Sequence, residues 1–284
     1  MYQSNETVPW YPESWAAAVR AQNYRAAYCP LAWTASDAEV AAYRAAAAAA
    51  DIVIAEVGAW CNPLSPEPAE RAAAIEKCIR HLDLAERLGA RCCVNIAGSC
   101  GVQWDGPHPD NLTPATFARI VATVQQIIDA VGPQQTCYTL ETMPWMYPDS
   151  PDSYLELLRA IDRRSMAVHL DPVNLVSSPQ RYFAIPALLR ECFATLGPHV
   201  RSCHAKDVVL DGELTVHLRE TRPGTGAMDY EVLLDEMDRL PPDTPLMLEH
   251  LRDPAEYAAA AEHVRAVDAR RRERPQRCGH GLKG

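Results

Sequence analysis

The sequence predicts a single-domain α/β protein, a (β/α)8 TIM barrel. Three observations predict it. Short apolar runs alternate with amphipathic segments along nearly the whole chain. The 284 residues suffice for one such barrel, which takes about 250. No G-x-G-x-x-G or phosphate-binding loop follows the early runs, so a doubly wound open sheet lacks support.

The elements follow in order. MYQSN at 1–5 is weakly apolar and offers a short first strand, with a helix at 12–22 after it. Seven further runs read as buried parallel strands, being five to eight residues long and rich in small or β-branched types: RAAYC (25–29), DIVIAEV (51–57), CCVNIAG (92–98), CYTLE (137–141), MAVHLD (166–171), VRSCHAKD (200–207) and PLMLEH (245–250). Helices are expected over 37–50, 66–88, 113–131, 151–163, 228–239 and 253–272. Ser36 and Glu39 have capping-box spacing ahead of an alanine-rich helix. Ser65-Pro66 and Thr113-Pro114 place proline in a first turn, and Gly89 and Gly132 stand where C-terminal glycine caps belong. The barrel is expected over 1–270, followed by a basic, disordered tail over 271–284.

Composition narrows the function. Hydrophobic residues make up 48% and charged residues 23%, which excludes wholesale disorder. A net charge of −10 argues against a duplex-binding face but leaves room for a small basic pocket. No apolar run is long enough to span a bilayer and no leader peptide is visible, so a cytoplasmic location without membrane or nucleic-acid partners is expected. Ten cysteines without a C-x-x-C pair read as reduced, packed thiols.

The chemistry sits at strand ends. The last four expected strands end in Glu141, Asp171, His204 and Glu249, on the face where barrels build active sites. Three carboxylates and an imidazole buried together without a cation would be strongly unfavourable, so one divalent metal is expected there: manganese, magnesium, cobalt or zinc. Residues two earlier share the facing direction, and His169 among them reads as support for the ligands. Trp60, Trp104 and Trp145 either stack on a sugar ring or fill the barrel mouth. Glu56 and Asn95 either bind hydroxyls at that mouth or cap backbone. Lys206, His217 and Arg222 supply positive charge where barrel phosphate sites lie, and Arg222-Pro-Gly-Thr-Gly226 is either an anion loop or a tight turn. Lys206 could instead pair with Asp207 in a solvent-facing motif.

The pieces LETMPW (140–145), HLDPVN (169–174), SCHAKD (202–207), RPGTGAMDY (222–230) and LMLEHL (246–251) resemble the sugar phosphate isomerase/epimerase group of xylose-isomerase-like, endonuclease IV-type barrels. The resemblance covers roughly residues 24–260. It implies Glu141, Asp171, His204 and Glu249 as metal ligands, and Glu141 and Glu249 as the catalytic acid/base pair. The implied reaction is isomerisation or epimerisation of a sugar, sugar acid, cyclitol or sugar phosphate through an enediolate. A dehydratase or lyase of such compounds and a non-catalytic sugar-binding barrel are the alternatives. Homo-oligomers are frequent in such a family. The chain departs from the pattern at Asn174, where D-x-x-H has histidine, leaving it a hydroxyl-binding role, and also at Tyr147 and Leu210. Thr215-Val216-His217 stands where endonuclease IV has D-x-H.

Overall fold

A computed structural model describes residues 11–273. The expected first strand at 1–5 and residues 274–284 of the expected tail lie outside the described residues. Helix α1 (Pro12–Ala21) leads into β1 (Ala26–Tyr28), α2 (Asp37–Ala49), β2 (Val53–Gly58), α3 (Pro68–Leu88) and β3 (Cys92–Asn95). Next come α4 (Pro114–Val131), β4 (Tyr138–Glu141), α5 (Pro151–Ile161) and β5 (Met166–Leu170). Two helices, α6 (Pro179–Tyr182) and α7 (Ile185–Leu196), precede β6 (Val200–Ala205). A hairpin of β7 (Asp207–Asp211) and β8 (His217–Thr221), then α8 (Tyr230–Met237), β9 (Leu246–Leu248) and α9 (Pro254–Glu273) complete the chain. The strands β1 to β6 and β9 form one parallel sheet in that order. It is a nearly closed TIM barrel with helices around it, and the Tyr28 hydroxyl donates across the seam to the Leu248 carbonyl at 3.3 Å.

Local chemistry sets the helix boundaries. The Ser36–Glu39 capping box forms in both directions. Thr113 accepts from the Thr116 N–H to start α4. Gly89 and Gly132 end α3 and α4 with φ of 71° and 61°, a conformation that costs glycine nothing. Helix α3 starts two residues later than expected, because the Ser65 hydroxyl accepts the Glu67 N–H and folds a turn ahead of it. The alanine-rich α2 buries Val40, Tyr43, Ala46 and Ala47. Small side chains let such a helix lie close to the sheet.

Three features go beyond the sequence expectation: helices α6 and α7 and the hairpin of β7 and β8. Helix α7 buries Ile185, Leu188, Leu189, Cys192, Phe193 and Leu196. The expected strand over 200–207 divides, with Lys206 between β6 and the antiparallel β7–β8 hairpin. At the other end, α9 continues to Glu273, past the expected barrel limit, and Arg271 binds Asp235, Asp238 and Asp268 at 2.8, 2.7 and 2.7 Å. No helix among the described residues is long and apolar enough to cross a membrane.

Tyr154 locks the region that carries the site. Its buried hydroxyl meets the Leu140 carbonyl and N–H at 2.6 and 3.0 Å and the Ala167 carbonyl at 3.0 Å. That pins β4 to β5 one residue before Glu141.

Candidate metal centre

Four donors converge at the C-terminal ends of the strands. Glu141 ends β4, Asp171 follows β5, His204 lies near the end of β6 and Glu249 follows β9. One donor atom from each lies within 4.8 Å of all the others. The His204 Nδ1 is 2.9 Å from Glu249, 3.1 Å from Glu141 and 3.4 Å from Asp171. Asp171 divides its oxygens: Oδ1 accepts the backbone N–H groups of Val173 and Asn174 at 3.0 and 3.2 Å, while Oδ2 points into the cluster. Thr142 braces the same turn, donating to the Asp171 carbonyl at 2.7 Å and accepting its N–H at 2.9 Å. The Asn174 amide donates to Glu141 at 3.3 Å and to the Thr142 carbonyl at 3.0 Å, so it steadies a carboxylate.

Lys206 enters this cluster. Its ammonium is 2.7 Å from Asp171 and 3.6 Å from Glu141, and it also contacts Glu249. Asp171 Oδ2 and Glu249 Oε1 are buried, and each faces the Lys206 ammonium and His204 Nδ1. Three carboxylates and an imidazole nitrogen converging in this way suit a divalent cation, so the donor set fits a metal of hard or borderline type. Burial alone would lower the His204 pKa, but Glu249, Tyr28, Glu56 and Glu141 around it hold it well above its ordinary value. Burial likewise opposes charge on Lys206, and Asp171, Glu141, Glu249 and Glu220 outweigh it. Glu249 goes the other way: against burial, His204 and Lys206 bring it down to about 2.

Beneath lies a second group. Glu56 is 1% exposed and binds His169 Nε2 at 3.0 Å, the Ser202 hydroxyl, and the far side of His204 at 3.6 Å from Nε2. The His169 and His204 rings meet edge-on with centroids 4.1 Å apart. His169 and His204 thus contact one and the same carboxylate. Glu56 does not open to the mouth as a hydroxyl binder. Its register opposite Cys92 places it a layer below the strand ends.

Other expected residues fall elsewhere. Asn95 pairs with Leu140 in the sheet, while the inward-facing Glu141 lies one residue beyond it. Its amide therefore turns to the helix layer, accepting the Cys61 N–H at 3.0 Å and donating to the Cys61 carbonyl at 3.2 Å. His217 is exposed at the start of β8, opposite Asp211 near the hairpin turn, and is not brought to the carboxylates. Arg222 donates to the carbonyl of Pro223 at 3.4 Å. The glycine loop has its own anion: Asp207 accepts the N–H groups of Gly224, Gly226 and Met228 at 2.9, 3.0 and 2.8 Å. A Cβ on Gly226 would collide with that carboxylate and with the Val208 carbonyl. Asp207 is buried, so the solvent-facing Lys206–Asp207 pair is replaced by two separate inward roles. Trp145 is 40% exposed, with its indole N–H held by the Asp105 carbonyl at 2.7 Å.

Three residues escaped the sequence reading. Tyr28 is buried against the Glu56, His204 and Glu249 charges, and burial with the two carboxylates pushes its hydroxyl well above its ordinary pKa. Glu220 meets His250 Nδ1 at 3.2 Å and the Lys206 ammonium at 3.7 Å. The Asp211-Gly212 pair between two short runs was a hairpin signal that would have brought β8 and Glu220 back toward the mouth.

A parallel barrel with an acid–imidazole cluster at its C-terminal mouth defines the class. The chain belongs to the family described as xylose isomerase-like TIM barrel, whose profile matches residues 17–267. Among solved structures it is similar to endonuclease IV from Thermus thermophilus, at 18% identity and TM-score 0.69, covering 91% of this chain and 94% of that one. It is similar to D-psicose 3-epimerase from Clostridium cellulolyticum, at 15% identity and TM-score 0.65, covering 92% of each chain. A xylose isomerase-like barrel from Mycobacterium smegmatis, in complex with magnesium, matches at 17% identity and TM-score 0.64, covering 91% of this chain and 88% of that one. At such identities these likenesses show the fold. A search of curated protein sequences gave no match.

Proposed function

We propose that the protein is a divalent-metal-dependent isomerase or epimerase of a sugar, sugar acid, cyclitol or sugar phosphate. The observation that carries this reading is the convergence of Glu141, Asp171, His204 and Glu249, with one ligand atom from each within 4.8 Å of the others. Those four residues would hold the cation, and manganese, magnesium, cobalt and zinc all suit them. When bound, such an ion polarises a carbonyl and acidifies the neighbouring C–H.

The remaining steps belong to side chains. Glu141 and Glu249 stand on β4 and after β9, with β5 and β6 between them. One removes the proton from carbon and the other returns it. Return to the same carbon from the opposite face is epimerisation, and return to the adjacent carbon is isomerisation. Asn174 keeps Glu141 oriented, and the fixed ring of Trp145 offers a face for a sugar. Lys206 neutralises developing charge on a substrate oxygen.

The small-molecule assignment rests on charge and donor set. The chain carries −10 overall, and Asn174 supplies an amide where a further metal-binding histidine would be needed for a multinuclear cluster. The deciding experiment measures metal content of wild type, Glu249→Gln and His204→Ala, and then deuterium incorporation from D2O into hydroxy-carbonyl sugars. Near one metal per chain in wild type, lost in both variants, with deuterium entering a C–H position, is the expected result. Wild type that takes up no manganese, magnesium, cobalt or zinc would overturn it.

A further inference from the structure

The chemistry of one cysteine pair stands apart from the other thiols. Cys61 is half-buried in the loop after β2, and Cys78 is fully buried in α3. Their sulfurs lie 3.5 Å apart. The Cys61 thiol also donates to the Ala74 carbonyl at 3.4 Å. Asn95 serves this pair with its whole side chain. Besides clamping the Cys61 backbone, its amide nitrogen lies 3.4 Å from the Cys78 sulfur and 3.7 Å from the Cys61 sulfur. The Lys77 ammonium reaches over the same loop to the Trp60 carbonyl at 3.2 Å.

We propose that Cys61 and Cys78 form a redox-active dithiol, which a hydroperoxide converts to a disulfide that ties the loop after β2 to α3. A disulfide needs its sulfurs at about 2.0 Å. Closing the gap moves two side chains that already face each other. The sulfurs have distinct parts to play. The Cys78 thiol, Lys77 and Asn95 hold Cys61 below the ordinary thiol pKa against its partial burial, while hydrogen bonding to Cys61 and burial push Cys78 well above it. Cys61 is the attacking sulfur because the thiolate is the nucleophile. Its thiolate attacks one peroxide oxygen, the O–O bond breaks, and the alcohol leaves with the Cys61 proton. The resulting sulfenic acid is attacked by the Cys78 sulfur, the S–O bond breaks, and water departs with the Cys78 proton. Two thiols are oxidised and one hydroperoxide is reduced to an alcohol and water.

Other thiols in the barrel are set up differently. Burial pushes Cys92, Cys93 and Cys203 far up, and Cys29 up to about 11. Cys100 faces the Thr116 hydroxyl at 3.5 Å rather than another sulfur. Among the described residues, Cys61 and Cys78 are the pair with sulfurs in direct contact. The loop they would fasten carries Trp60 and leaves β2 at the same end of the barrel as the carboxylate cluster, so oxidation stiffens one wall of the mouth.

The test treats reduced full-length protein with one equivalent of hydrogen peroxide and maps its peptides without reduction. The expected product is a peptide pair joined through Cys61 and Cys78, formed before any other cysteine changes and released by dithiothreitol. A Cys78→Ser variant should accumulate a dimedone adduct at Cys61 that wild type resolves. Oxidation arriving first at Cys100 or Cys137, or Cys61 passing to sulfinic acid without a link to Cys78, overturns the proposal. The wild-type map decides on its own if the variant fails to fold, and metal content has no bearing on it.

Discussion

Two groups of carboxylate and imidazole share His204, and they differ in how their donors are committed. In the lower one, Glu56 is engaged by His169, Ser202 and the back of His204, away from solvent. In the upper one, Glu141, Asp171 and Glu249 meet both His204 Nδ1 and the Lys206 ammonium, and Glu249 keeps 13% of its side chain exposed. The same residue types thus make a sealed group and one that reaches solvent at Glu249. The difference teaches that depth in the barrel, rather than residue identity, decides which of two carboxylate–imidazole groups a ligand can reach. A ligating histidine held from behind by a carboxylate is also a stronger and better-oriented donor.

The comparison can be broken at its base. Glu56→Ala leaves His169, Ser202 and one face of His204 without their buried acceptor, and should cost about 3–5 kcal/mol. Thermal unfolding in the presence of a chelator reads this without any contribution from metal. Removing metal should act on the upper group and reach the lower one only through His204. With metal at about a hundred times its dissociation constant, chelation should lower stability by about 2.7 kcal/mol. An unfolding midpoint indifferent to chelator would mean that the upper group is not a receptor.

A milder change sharpens the distinction. Glu56→Gln keeps the shape but weakens the support, so metal affinity should fall about 10- to 100-fold while saturating stoichiometry stays that of wild type. Titration by calorimetry separates this from Glu249→Gln, where stoichiometry itself should be lost. The smallest effect on metal binding is expected at Gly226→Ala, whose Cβ would collide with the Asp207 carboxylate and the Val208 carbonyl. It should cost about 1–3 kcal/mol of stability and leave metal content unchanged. A loss of metal there would show that the loop and the upper group are coupled through Lys206 and Asp207.

Much of the site was legible because strand ends are legible. A period of two and a sharp turn place Glu141, Asp171, His204 and Glu249 at the same end of neighbouring strands, and the structure brings them together. Their neighbours were harder. Glu56 could be assigned to the inner face but not to a depth, since depth depends on the stagger between strands. Asn95 could be assigned to a strand end but not to a face, because face depends on its register opposite Leu140. Asp207 looked like a surface residue until the hairpin and glycine loop folded around its carboxylate.

By itself the sequence determined the alternation of strands and helices, the caps at Ser36, Thr113, Gly89 and Gly132, and the donor set at the strand ends. Those follow from local periodicity and from backbone groups satisfied within a few residues. Only the tertiary structure decided that Lys206 faces the carboxylates, that Glu56 stands behind His204, and that Asn95 serves two sulfurs. Each depends on segments distant in the chain, 17 residues apart for Asn95 and Cys78 and 146 for Glu56 and Ser202, meeting at a register set by closure of the barrel.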